Sequence, residues 1–72
     1  MVKYRDWNIE IDKKMDKIYT WKAKGKGGKY LSDPEGGELG TKAYALYRIK
    51  KWIDAYDVGN TKELRRAGLK VI

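Results

Sequence analysis

Along the first half of the chain apolar and polar positions alternate, and along the second half they recur at three and four. In the segment Tyr4 to Ile11, the side chains of Trp7, Ile9 and Ile11 fall on one side and those of Asp6, Asn8 and Glu10 on the other. A period of two predicts a half-buried strand. Asp12-Lys13-Lys14-Met15-Asp16 interrupts the rhythm and is expected to form a hairpin loop. From Lys17 to Lys24 the alternation returns, with Tyr19, Trp21 and Ala23 opposed to Ile18, Thr20, Lys22 and Lys24. Its aromatic and β-branched content suits a second strand. Gly25-Lys26-Gly27-Gly28 supplies a tight turn, because glycine enters the left-handed region without a steric penalty. Lys29 to Asp33 then reads as a short third strand with Leu31 inward and Tyr30 and Ser32 outward.

Beyond Pro34-Glu35-Gly36-Gly37-Glu38-Leu39-Gly40, a loop by composition, the period changes. Ala45, Leu46, Ile49, Trp52, Ile53 and Tyr56 form one helical stripe. Thr41 is the expected N-cap and the helix should end near Asp57. Asn60 with Glu63 three places on has the spacing of a capping box and predicts a short second helix to about Ala67, closed by Gly68. The expected architecture is therefore α+β: a three-stranded antiparallel sheet packed on one amphipathic helix, with a short C-terminal helix. Residues 1–57 would form the sheet-plus-helix body. Residues 58–72 would be a short helix and tail, docked on that body or bound to a partner. The core would join Trp7, Ile9, Ile11, Tyr19, Trp21 and Leu31 to Leu46, Ile49, Trp52, Ile53 and Tyr56.

Tyr19-Thr20-Trp21-Lys22-Ala23, the turn Gly25 to Gly28, Tyr30-Leu31-Ser32-Asp33, Gly36-Gly37 and the helix opening Thr41-Lys42-Ala43-Tyr44-Ala45-Leu46 with Ile49 follow one another in a characteristic order. Over Tyr19 to Ile53 this order resembles the YegP-like family of small domains of unknown function. There a W-x-W/R-type strand, a glycine turn, a short strand ending in Ser or Asp and a helix opening S/T-K-x-x-A-L-x-x-I occur in sequence. The chain departs from the family in a longer, more lysine-rich glycine turn, a more basic helix and a tail after Asp57. The resemblance implies the strand-strand-strand-helix order and pairing of sheets between copies, and no activity. The same order is similar in topology to the three-stranded DNA-binding domains of a class of plant transcription factors and of some integrase arms. Those read the major groove with the outer sheet face, but their base-reading arginines have no match here.

Seventy-two residues bound one small domain with a modest core. With no Cys and no His, disulfides and the usual zinc ligands are missing, which leaves self-association, a homodimer, as the remaining source of extra stability. Met1 to Glu10 lacks the apolar stretch of a signal peptide, and no run reaches the roughly 20 apolar residues of a membrane helix. A cytoplasmic protein without membrane, metal or cofactor partners is expected.

Catalysis lacks its usual parts. There is no His base and no Cys nucleophile, Ser32 is the only serine, and the acids are scattered, so the chain reads as non-enzymatic. Lys24, Lys26 and Lys29 around Gly25, Gly27 and Gly28 fit neither glycine-rich phosphate-loop pattern, and the turn leads into a strand rather than a helix.

Charge points instead to binding. Seventeen Lys and Arg against ten Asp and Glu leave +7, a charge that attracts polyanions or simply keeps a small domain in solution. Between Asp16 and Asp33 there are five lysines and no acid. The outer sheet face would show Lys22, Lys24 and Tyr30, with Lys26 and Lys29 in and after the turn. That is either a phosphate-contacting surface with an aromatic for base stacking, or an ordinary solvated face. Arg65 and Arg66, in a tail holding one acid against four bases, would add a basic end. On the outer helix face Tyr44, Tyr47, Arg48 and Lys51 lie opposite Ile49 and would serve a protein partner, or the rings would lie over the Gly-rich loop or the C-terminal tail. Non-specific nucleic-acid binding is the leading expectation, and a protein-interaction or self-associating domain is the alternative.

Overall fold

The computed structural model describes residues 1–34 and 38–72. Among these residues, six strands and two helices follow in the order β1 (Val2–Tyr4), β2 (Trp7–Met15), β3 (Ile18–Gly25), β4 (Tyr30–Ser32), β5 (Glu38–Leu39), α1 (Lys42–Asp57), α2 (Thr61–Arg66) and β6 (Lys70–Val71). All form one antiparallel sheet in the order β1-β2-β3-β4-β6, while β5 pairs β3 beyond the end of β4. The α+β class and the antiparallel sheet are as expected; the number of strands is not.

The three additional strands are only two or three residues long, too short for an alternation to be visible. Tyr4 does not continue the first long strand. It closes β1 and faces Trp7 across a two-residue turn in which Arg5 has φ 53°. Nor is Asp12 to Asp16 a loop. β2 runs on to Met15, with an irregularity between Lys13 and Met15, and the chain reverses at Asp16 and Lys17, where Lys17 has φ 60°. A hydrophilic run can form a strand when its side chains all meet water at the end of a hairpin, and Asp12 through Lys17 are all exposed. The expected loop from Pro34 to Gly40 is shorter than its composition implies, because Glu38 and Leu39 pair with Tyr19 and Ile18; residues 35–37 lie outside the described residues.

The pairing Ile9↔Ala23↔Leu31↔Val71, with Val2 beyond Ile9, sets one row of the inner face. Trp7, Ile9, Trp21, Ala23 and Leu31 are buried there, and Ile49 and Ile53 of α1 complete the core with Leu64 and Leu69. Burying a side chain of this size contributes roughly 1.5–3 kcal/mol. Residues 58–72 therefore pack on the rest. Leu64 is fully buried, Gly68 turns the chain at φ 89°, and β6 adds to β4 with reciprocal hydrogen bonds between Tyr30 and Ile72 at 3.2 and 3.0 Å.

Local signals and tertiary ties act together in α1. Thr41 Oγ1 accepts from the Tyr44 N–H at 3.1 Å, the expected cap. At α2 the capping-box pair takes another form, with Asn60 Nδ2 donating to Glu63 Oε2 at 2.7 Å and no side-chain bond to the backbone. α1 has no acid in its first turn and no base in its last, against the preference of the helix dipole. The acids near its C-terminal end are instead held by the sheet. Asp54 Oδ1 accepts from Tyr4 Oη at 2.8 Å and pairs with Arg5 Nε at 2.9 Å; Asp57 Oδ1 accepts from Trp7 Nε1 at 3.2 Å and pairs with Lys29 Nζ at 3.6 Å.

Candidate functional site

The outer face of the sheet is built by register. Lys3↔Asn8↔Lys24↔Tyr30 forms one cross-strand row, and Glu10↔Lys22↔Ser32↔Lys70 forms the next. With neighbouring strands about 4.8 Å apart, the first row spans roughly 15 Å. A shallow depression of about 370 Å³ lies beside it, lined by Lys3, Asp6, Asn8, Lys24, Gly25 and Lys26. Farther along the face come Asp12 and Thr20, and then Met15, Ile18 and Leu39, of which Met15 and Leu39 are exposed. The face thus grades from basic through mixed to apolar.

The structure separates the lysines that the sequence presents as one run. Lys24 and Tyr30 are direct cross-strand neighbours, and Lys26 joins them at the turn. Lys22 shares the face but lies 3.5 Å from Glu10 Oε2, so its charge is largely answered; that buried oxygen accepts no hydrogen bond, and the contact is an ion pair without good alignment. Lys29 is not on this face. Its ammonium lies over the Trp7 ring at 5.2 Å and beside Asp57, at the junction of sheet and α1. That arrangement needs glycine at position 25, since a Cβ there would come to 3.0 Å from both Trp7 and Lys29. Arg65 and Arg66 are exposed on α2, which packs on α1 and β6 rather than extending as a free basic tail.

Sequence reasoning did not include Lys3 or place Lys70 on the sheet. The first precedes the visible alternation. The second is brought in only by the pairing of β6, opposite Ser32.

Charge balance explains why this end of the face remains basic. Glu10, Asp16, Glu38, Asp54 and Asp57 are each engaged in an ion pair. None of Lys3, Lys24, Lys26 and Lys70 pairs with a described acid. Arg5 is held above its ordinary value, chiefly by its hydrogen bond with Tyr4 and next by Asp54. A raised value in the folded state means that its contribution is present throughout the neutral range and is lost only in strong alkali.

A second surface lies on the opposite side, along α1. Tyr44 and Tyr47 are exposed and stack with ring centroids 6.2 Å apart. Lys51 Nζ lies 5.2 Å from the Tyr47 centroid, and the Arg48 guanidinium lies 5.2 Å over Trp52. Glu38, only 8% exposed, accepts from Trp52 Nε1 at 3.0 Å and meets Arg48 Nε at 3.5 Å.

Among the described residues no three His, Cys, Asp or Glu side chains group as metal ligands, and no helix is long and apolar enough to cross a membrane. Comparison of the chain with protein-family models, curated proteins and solved structures finds no match, so no family can be assigned by likeness.

Proposed function

We propose that this chain is a small non-enzymatic binding module that holds nucleic acid mainly through phosphates, at the basic end of its outer sheet face. The observation that carries the reading is the convergence of Lys3, Lys24 and Lys26 beside Tyr30, on a face where the nearest acids except Asp6 are already paired or lie farther along the strands. Lysines on such a face contact phosphates without reading sequence, and Tyr30 can stack on a base. Lys70 extends the basic surface across β6, while Arg65 and Arg66 add to the long-range attraction of a +7 domain without sharing its face. An electrophoretic mobility assay at increasing salt tests the reading. Binding at low salt that weakens steadily with salt supports it; no binding at low salt, or binding indifferent to salt, refutes it.

Self-association is the second reading, and one observation favours it. β1 covers only Trp7 to Ile9, so β2 beyond Ile9 has no strand on that side among the described residues, an edge onto which a second copy could add. Lys13 and Lys14 on that edge oppose it by like-charge repulsion, which ranks this reading below the first. Sedimentation at several concentrations separates the two.

A further inference from the structure

The basic end of the outer sheet face is a strip rather than a field. Its row, Lys3↔Asn8↔Lys24↔Tyr30, crosses β1, β2, β3 and β4, and Lys26 stands beside it on the turn. Successive residues on one face of a strand are about 7 Å apart, so Glu10 lies one row away and Asp12 two rows, roughly 14 Å. Lys22 answers Glu10, whereas Asp12 makes no ion pair among the described residues. In the other direction the face ends at the turns of Arg5 and Asp6 and of Lys26 and Gly27.

We propose that this strip receives single-stranded rather than duplex nucleic acid, one strand laid across β1 to β4 with phosphates at Lys3, Lys24 and Lys26 and a base stacked on Tyr30; the inference rests on the sheet-face reading above. Two observations select a single strand. The first is the width of the strip. A duplex carries a backbone on each side of a major groove about 12 Å wide. With one backbone on the basic row, the other would fall near Asp12 on one side and off the end of the sheet on the other. A single strand needs only the row itself. The second is Tyr30. Among the described residues it is the only aromatic on this face, and no other ring or cation lies over it, unlike Tyr4, Trp7, Tyr47 and Trp52. Its backbone is fixed on both sides, by pairing with Lys24 and by the two hydrogen bonds with Ile72, so the platform is set before a base arrives. Bases in a duplex are stacked on one another and offer this ring no face without being unstacked. In the depression beside the row Lys3, Lys24 and Lys26 meet a single acid, Asp6, so the strip attracts phosphate in spite of that carboxylate.

Fluorescence anisotropy of the full chain tests this with three labelled probes: an oligothymidylate, the same strand lacking its bases, and a duplex of the same strand length. Phosphate attraction alone favours the duplex, whose charge is denser. Oligothymidylate is nevertheless expected to bind about tenfold more tightly than the duplex, and about fivefold or more above the strand without bases. Tyr30→Leu should weaken oligothymidylate about fivefold or more and leave duplex affinity and the salt slope as in the parent chain. Tyr30→Phe keeps the ring and should bind oligothymidylate like the parent. The inference is overturned, with the phosphate reading left standing, if salt-dependent binding persists and the duplex or the strand without bases binds as tightly as oligothymidylate. It is overturned in the same way if Tyr30→Leu binds oligothymidylate like the parent, or if Tyr30→Phe loses as much as Tyr30→Leu. No binding of any probe at low salt, or binding indifferent to salt, refutes the phosphate reading and this inference with it.

Discussion

Trp7 and Tyr56 meet edge to face with ring centroids 5.0 Å apart and planes at 79°, and this contact fastens the first long strand to the last turn of α1. Each ring is tied at its polar end as well: Trp7 Nε1 donates to Asp57, and Tyr56 Oη donates to the carbonyl of Ile72 at 2.8 Å. One pair thus joins β2, α1 and the end of the chain. Trp7→Ala should cost about 3–5 kcal/mol, comparable to the whole stability of a domain this small. Tyr56→Phe keeps the ring contact and loses only the hydroxyl bond, about 1 kcal/mol. Urea unfolding should show the first variant largely unfolded in buffer and the second with a slightly lower midpoint.

Lys17 is held in the left-handed region at φ 60°, while its carbonyl accepts from the Gly40 N–H at 2.8 Å. A side chain with a Cβ costs roughly 1–2 kcal/mol there. Lys17→Gly removes that cost but adds freedom to the unfolded chain, so a net gain of about 0.5–1 kcal/mol is expected. Lys17→Ala should show no such gain. Thermal unfolding of the two variants side by side checks the pair.

Glu38 is a buried carboxylate placed by a strand of two residues, and it serves the Trp52 indole and Arg48 at once. Glu38→Ala leaves the indole N–H without its acceptor and should cost about 1–3 kcal/mol. Glu38→Gln retains an acceptor oxygen and should cost about 1 kcal/mol or less. The indole proton resonance of Trp52 should move strongly in the first variant and weakly in the second.

The two halves of the lysine run should behave differently toward nucleic acid. Lys24→Gln together with Lys26→Gln should reduce the slope of log affinity against log salt by roughly 1.4–1.8, since each phosphate contact contributes about 0.7–0.9. Lys29→Gln should leave the slope unchanged, because its ammonium is engaged with Asp57 and Trp7. An equal loss from both changes would show that total charge, rather than the sheet face, governs binding.

Much of the body was legible in the residue pattern because the relevant forces are local. Trp7 and Ile9, and Trp21 and Ala23, declare an inward face two residues at a time, and the register sets Ile9 opposite Ala23, with Trp7 facing Gly25 and Trp21 facing Ile11. Ile49 and Ile53 declare the buried side of α1, and Thr41 caps it with its own hydroxyl. The candidate site was legible only in part. Lys24 and Tyr30 are brought together as their parity predicts, and Lys26 joins them from the turn. Lys29 is turned away because Asp57, far along the chain, draws its charge across the end of the core.

What the sequence determined by itself is what neighbouring residues can settle between them: two long strands, a capped helix, a second short helix, the identity of most core residues and the excess of positive charge. What only the tertiary structure decided is where isolated short segments go and which charges remain unanswered. Val2–Tyr4, Glu38–Leu39 and Lys70–Val71 become strands because longer strands offer them an edge, and segments of two or three residues carry no period of their own. Asp54 and Asp57 sit at the end of α1 that the helix dipole disfavours, and the sheet holds them there through Tyr4, Arg5, Trp7 and Lys29. An ion pair depends on distance in space rather than along the chain, so the distribution of free charge, and with it the proposed binding surface, emerges only once the layers have packed.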